Sequence, residues 1–66
     1  MTKATHNIIK AARKAHGFTL WQISKLCHIS SSYYWNIENG YTVPTIDIAQ
    51  KIGKLLDISW EVFYKE

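Results

Sequence analysis

The chain has 66 residues, 47% of them hydrophobic and 20% charged, with a formal net charge of +3. That balance predicts one globular domain over residues 1–66 and excludes a disordered chain, at a size close to the limit for folding without a staple. A lone cysteine, Cys27, excludes an internal disulfide and fits a reducing compartment. No apolar run approaches the roughly 20 residues of a membrane span. The opening residues Met1 to His6 lack the apolar core of a signal peptide, so a cytoplasmic protein without membrane contact is expected.

In chain order, the periodicity predicts a first helix from about Thr5 to His16, with Ile8, Ile9 and Ala12 inward and Gly17 ending it. Thr19 followed by Gln22 forms a capping-box pattern, opening a second helix that reaches about Cys27 and buries Ile23 and Cys27 with help from Leu26. Ser30 opens a third helix, about Ser31 to Asn39, with Tyr34 and Ile37 inward and Asn39-Gly40 as its stop. Pro44-Thr45 introduces a fourth, on which Ile48, Ile52, Leu55 and Leu56 recur at helical spacing until Asp57, a left-handed terminator. Ser59 is expected to cap a fifth short helix, Trp60 to Tyr64, with Glu61 near its positive end. The expected fold is all-α, a compact five-helix bundle without strands, repeats or linkers.

The second and third helices are joined by only a few residues around His28-Ile29. Two short helices at that offset form a helix-turn-helix, whose second member is shaped to enter the DNA major groove. Charge is compatible with this reading. Lys3, Lys10, Arg13, Lys14 and Lys25 occur before any acid, whereas Glu38, Asp47, Asp57, Glu61 and Glu66 outnumber Lys51, Lys54 and Lys65 afterwards. A basic end suits a polyanion, although the same charges also describe a solvated helix face.

Ile29-Ser30, Tyr34, Ile37-Glu38-Asn39-Gly40, Pro44, Ile52, Leu56 and Ile58-Ser59 together resemble the Xre-type helix-turn-helix family of phage repressors and Cro proteins, from Ile9 to Phe63 without insertion. The resemblance implies an ion pair between Arg13, late in the first helix, and Glu38, at the end of the third. An acid at a helix C-terminus opposes the dipole, so a partly buried bidentate partner is expected to compensate it.

The resemblance also implies a DNA surface. Ser31, Ser32, Tyr33, Trp35 and Asn36 are expected to face the groove, with Asn36 able to bond adenine through both amide groups. Trp35 alternatively lies against a neighbouring helix. Thr19, Leu20 and Ser30 bring helix N-termini to the phosphates, and Asn39, Tyr41 and Thr42 add donors from the following loop. Relatives carry Gln where this chain has Leu20, Gly where it has His28, and often Arg or Lys in the recognition helix. This chain has no Arg or Lys between Leu26 and Lys51, which predicts weak electrostatic anchoring. Weak anchoring favours a homodimer, and relatives place that interface where this chain has Val43, Ile46, Trp60 and Tyr64. Trp60 alternatively lies over the core as a lid.

The expected function is a sequence-specific, homodimeric transcriptional repressor on double-stranded DNA with a pseudo-palindromic operator, associated with the bacterial nucleoid. RNA polymerase or an antirepressor protein is a further expected partner. A controller-type activator and a protein-binding antitoxin module are the alternatives. His6, His16, His28 and Cys27 lack metal-ligand spacing, and no catalytic constellation or phosphate loop is present. Neither cofactor nor enzyme activity is expected.

Overall fold

The computed structural model describes residues 3–64; Lys65 and Glu66, counted in the charge asymmetry above, lie outside that range, as do Met1 and Thr2. The described residues form four α-helices, α1 (Lys3–Ala15), α2 (Leu20–Leu26), α3 (Ser31–Glu38) and α4 (Ile46–Leu56), followed by one 3-10 turn, Trp60–Phe63. None is long and apolar enough to cross a membrane. The expected fifth α-helix is therefore corrected to a single tighter turn. Four residues provide too few i to i−4 hydrogen bonds to sustain an α-helix, and the Ser59 side chain makes no capping hydrogen bond there.

Each helix boundary follows from local chemistry. Gly17, at φ 75°, ends α1 and directs the chain so that the Phe18 amide donates to the Arg13 carbonyl at 3.1 Å. The Thr19 hydroxyl accepts from the Gln22 amide at 3.1 Å while Gln22 Oε1 accepts from the Thr19 amide at 2.9 Å, a complete capping box. Ser30 Oγ accepts from the Tyr33 amide at 3.0 Å and so opens α3. Thr45 caps α4, and Asp57 at φ 55° terminates it in the left-handed conformation.

The connection between α2 and α3 contains a second non-glycine residue in the left-handed region, His28 at φ 60°. A side chain costs about 1–2 kcal/mol in that conformation, whereas a new glycine adds about 0.5–1 kcal/mol of unfolded-state entropy. The steric term is larger, so His28→Gly is expected to raise the thermal midpoint by a few degrees. A melt showing no rise would mean the imidazole makes a compensating contact.

Ile9, Ile23, Cys27, Tyr34, Ile37, Ala49, Ile52, Leu56 and Phe63 form one core to which all four helices and the 3-10 turn contribute. Two inward expectations are corrected: Ile8 and Leu26 each keep 50% of their surface exposed. Each sits about 100° of helical rotation from the residue that does point inward, Ile9 and Cys27 respectively, and these short helices bury only a narrow stripe. Burial pushes the Cys27 thiol pKa up, with nearby Lys51 opposing it, as for an unreactive core thiol.

Gly53 explains how the 3-10 turn docks. A Cβ at that position would lie 2.8 Å from the Ile58 carbonyl oxygen and 3.1 Å from the Trp60 amide. The missing side chain lets the returning backbone rest directly on α4. Trp60 is thereby half-buried against the core, and Phe63 is fully enclosed.

Candidate nucleic-acid interface

A buried ion pair sets the position of α3. Arg13 Nε donates to Glu38 Oε1 at 3.0 Å, with Glu38 only 4% exposed. The pair is not bidentate as expected. The guanidinium instead spends Nη1 on the Phe18 carbonyl at 2.8 Å, so one side chain ties the end of α3 to α1 and to the segment leading into α2. Tyr34 is buried beside this pair, and burial together with the Glu38 carboxylate holds its phenol well above the usual range. Glu38 is also the only acid in the α2–α3 unit, so its neutralisation leaves no carboxylate there to repel a phosphate.

A small polar contact closes α2 on α3. Ser24 is buried, and its Oγ donates within α2 to the Leu20 carbonyl at 2.7 Å. That oxygen is also 3.1 Å from Ser31 Oγ. Sequence reasoning missed Ser24, although a serine between the inward Ile23 and Cys27 is the available signal for close helix contact. Ser31 is consequently half-buried and committed in part to helix packing, rather than presented freely outward.

The remaining positions on α3 divide sharply. Tyr34, Ile37 and Glu38 are buried; Ser32 is exposed, and Asn36, one turn later, is half-buried on the same outward face. Tyr33, expected in the groove, packs its ring partly against the core. It also lies beside Tyr64, whose phenol is raised above its usual pKa first by burial and then by Tyr33. The physical reason is helical geometry: Tyr33 is on the same side as Ile37, four residues on.

Trp35 does not stand alone on the outward face. It is 44% exposed and stacked on Tyr41, with ring centroids 5.6 Å apart and planes 14° from parallel. Asn39 fixes the helix end beneath this pair, donating from Nδ2 to the Trp35 carbonyl at 2.9 Å. The Tyr41 and Thr42 amides donate to the Asn36 carbonyl at 2.8 and 3.3 Å. Asn39, expected as a phosphate donor, thus already uses one of its amide hydrogens to cap α3.

At the start of α2, Thr19 and Gln22 satisfy one another, leaving the Leu20 and Trp21 amides as first-turn donors. The Leu20 side chain packs partly against the core, so only its backbone remains for a phosphate. Ser30 is exposed at the corresponding end of α3. Elsewhere, Val43, Ile46 and Tyr64 are 57%, 58% and 41% exposed. Ile46, Trp60 and Tyr64 line one shallow groove of about 430 Å³ together with Glu61. Val43 does not line it. Trp60 and Tyr64 meet edge to face at 5.9 Å, and Tyr64 Oη donates to the Pro44 carbonyl at 2.6 Å. Among the described residues, no group of His, Cys, Asp and Glu is placed to hold a metal ion.

This geometry agrees with comparison to known proteins. A helix-turn-helix family model matches residues 9–63. An uncharacterised HTH-type transcriptional regulator of Bacillus subtilis strain 168, YqaF, is 34% identical over 58 residues, covering 88% of this chain and 76% of its own length. No solved structure matches the chain. With both the α2–α3 geometry and these matches in agreement, the chain belongs to the Xre-type helix-turn-helix family of transcriptional regulators.

Proposed function

We propose that this protein is a cytoplasmic, homodimeric repressor that binds double-stranded DNA with α3 in the major groove of a pseudo-palindromic operator. The observation that carries the reading is the division of α3: Tyr34, Ile37 and Glu38 hold the helix in the domain while Ser32 and Asn36 face outward. Ser32 and Asn36 then read base edges, with the Trp35–Tyr41 stack packing on thymine methyls or sugars beside them. The amides of Leu20, Trp21 and Ser31 and the exposed hydroxyls of Thr19 and Ser30 position the backbone. Thr42 and the second amide hydrogen of Asn39 supply further donors.

Dimerisation is supported by the apolar surface of Val43, Ile46, Trp60 and Tyr64 around the shallow groove on α4 and the 3-10 turn. Two copies joined there present two α3 helices to successive major grooves, about 34–36 Å apart. The test is a mobility shift with DNA from upstream of the protein's own gene against a scrambled duplex, across a salt series, with sedimentation equilibrium on the free protein. Preference for the upstream fragment, a shallow salt dependence and a dimer are expected. Equal binding to both duplexes would leave an architectural role, and absence of binding at low salt would favour a protein-binding module.

A further inference from the structure

The DNA surface and the α4 groove leave a third feature unused. The outer face of α2 and the chain leading into it form an open groove of about 350 Å³ lined by His16, Phe18, Trp21, Gln22, Lys25 and Leu26. Trp21 is 61% exposed and Leu26 50% exposed, although the core-facing side of the same helix is used by Ile23 and Ser24, with Cys27 buried at its C-cap. The groove is pre-organised. Lys25 Nζ lies 4.5 Å over the Trp21 ring, and His16 stacks on Phe18 at 6.4 Å. Exposed apolar side chains gathered in one groove are a surface that another molecule can cover.

Its charge specifies the occupant. No acid precedes Glu38 in the sequence, and Glu38 itself is buried against Arg13. Lys25, which is exposed, is the cation of the lining, and the lining holds no acid. We propose that this groove docks an acidic, amphipathic segment of a separate regulatory protein, with an apolar side chain seated between Trp21 and Leu26 and a carboxylate on Lys25. A DNA strand fits the charge but not the lining, because a phosphate backbone would leave Trp21 and Leu26 facing water. The groove shares no residue with the α4 groove, so a dimer formed there keeps this site available. The proposal goes beyond DNA binding and does not depend on it.

The experiment uses the full chain, labelled with ¹⁵N, and a synthetic helical peptide of about fifteen residues carrying Leu at i, i+3, i+4 and i+7 and Glu elsewhere. The three Trp indole N–H signals are assigned with Trp→Phe variants. Saturable movement of the Trp21 signal, with binding weakened about tenfold by Leu26→Ser and by Lys25→Glu, is expected, about 1.4 kcal/mol for each. Because Leu26 and Lys25 are exposed, both variants should fold, which the melting curve verifies. Leu26→Ser should also leave the mobility shift with duplex DNA unchanged. Equal binding of the Lys-for-Glu peptide, or full binding by Leu26→Ser, would overturn the proposal. So would displacement of the peptide by duplex DNA with the same Trp21 shift, or growth of the free protein beyond a dimer that Leu26→Ser abolishes. The last result would make a second copy the occupant.

Discussion

Arg13→Ala is expected to destabilise the domain by about 3–5 kcal/mol, measured by urea or thermal unfolding followed by circular dichroism. The substitution leaves the Glu38 carboxylate, 4% exposed, without its cation, and it removes the donor to the Phe18 carbonyl. A solvent-exposed ion pair would contribute less than about 1 kcal/mol, so burial decides the magnitude. In a domain of this size each kcal/mol moves the midpoint by about 4–8 °C, making the loss large against a total stability of only about 5–15 kcal/mol. Breaking the pair differs from replacing it. Arg13→Met combined with Glu38→Leu removes both charges and should recover a substantial part of the loss. A midpoint for Arg13→Ala within about 2 °C of the parent would show that the pair contributes little to stability.

Asn36→Ala is expected to reduce preference for the operator sharply while leaving the melting curve in place. The Asn36 backbone carbonyl, which accepts from Tyr41 and Thr42, survives the substitution, so the end of α3 is retained. Its side chain makes no hydrogen bond among the described residues, which leaves both amide groups for a base edge. A bidentate contact to adenine discriminates by about 1–3 kcal/mol, or roughly 5- to 150-fold in competition against scrambled duplex. Binding to scrambled DNA should be unchanged, because phosphate contacts carry no sequence information. Ser31→Ala is a useful contrast. It removes the α3 contact of buried Ser24, whose hydroxyl keeps the Leu20 carbonyl, and should affect stability together with binding. Undiminished discrimination by Asn36→Ala would shift base reading to Ser32 or to the Trp35–Tyr41 stack.

The expectation of weak anchoring rests on the absence of Arg and Lys between Leu26 and Lys51. Of the described cations, Arg13 is buried, Lys25 lies over Trp21, Lys51 lies 3.8 Å from Asp47, and Lys10, Lys14 and Lys54 are exposed on α1 and α4, none of them on α3. An exposed i, i+4 pair of that kind contributes only about 0.3–0.5 kcal/mol, so it is a feature of the α4 surface more than of its stability. The α3 surface itself offers hydroxyls, amides and aromatic faces in place of cations. Such a surface favours hydrogen-bond and stacking readout over long-range attraction, consistent with a shallow salt dependence.

Much of this protein was legible in the residues alone because its signals are local. The Thr19–Gln22 capping box, Ser30, Gly17 and Asp57 set helix boundaries through hydrogen bonds and backbone conformations that span no more than a turn. The family pattern from Ile9 to Phe63 likewise repeats at positions fixed by helical period. What the sequence did not determine depends on partners distant in the chain. Whether Ile8 or Ile9 turned inward, and how far Leu26 was covered, depended on which narrow stripe the other helices could reach. The division of the Arg13 guanidinium between Glu38 and Phe18, the Ser24–Ser31 contact and the Trp35–Tyr41 stack arise only when elements are brought together. The fifth helix shortened to a 3-10 turn because docking on Gly53 constrained a segment too short to stabilise an α-helix by itself. Local hydrogen bonding and periodicity fixed where the helices lie, whereas tertiary packing decided which side chains remained free to meet another molecule.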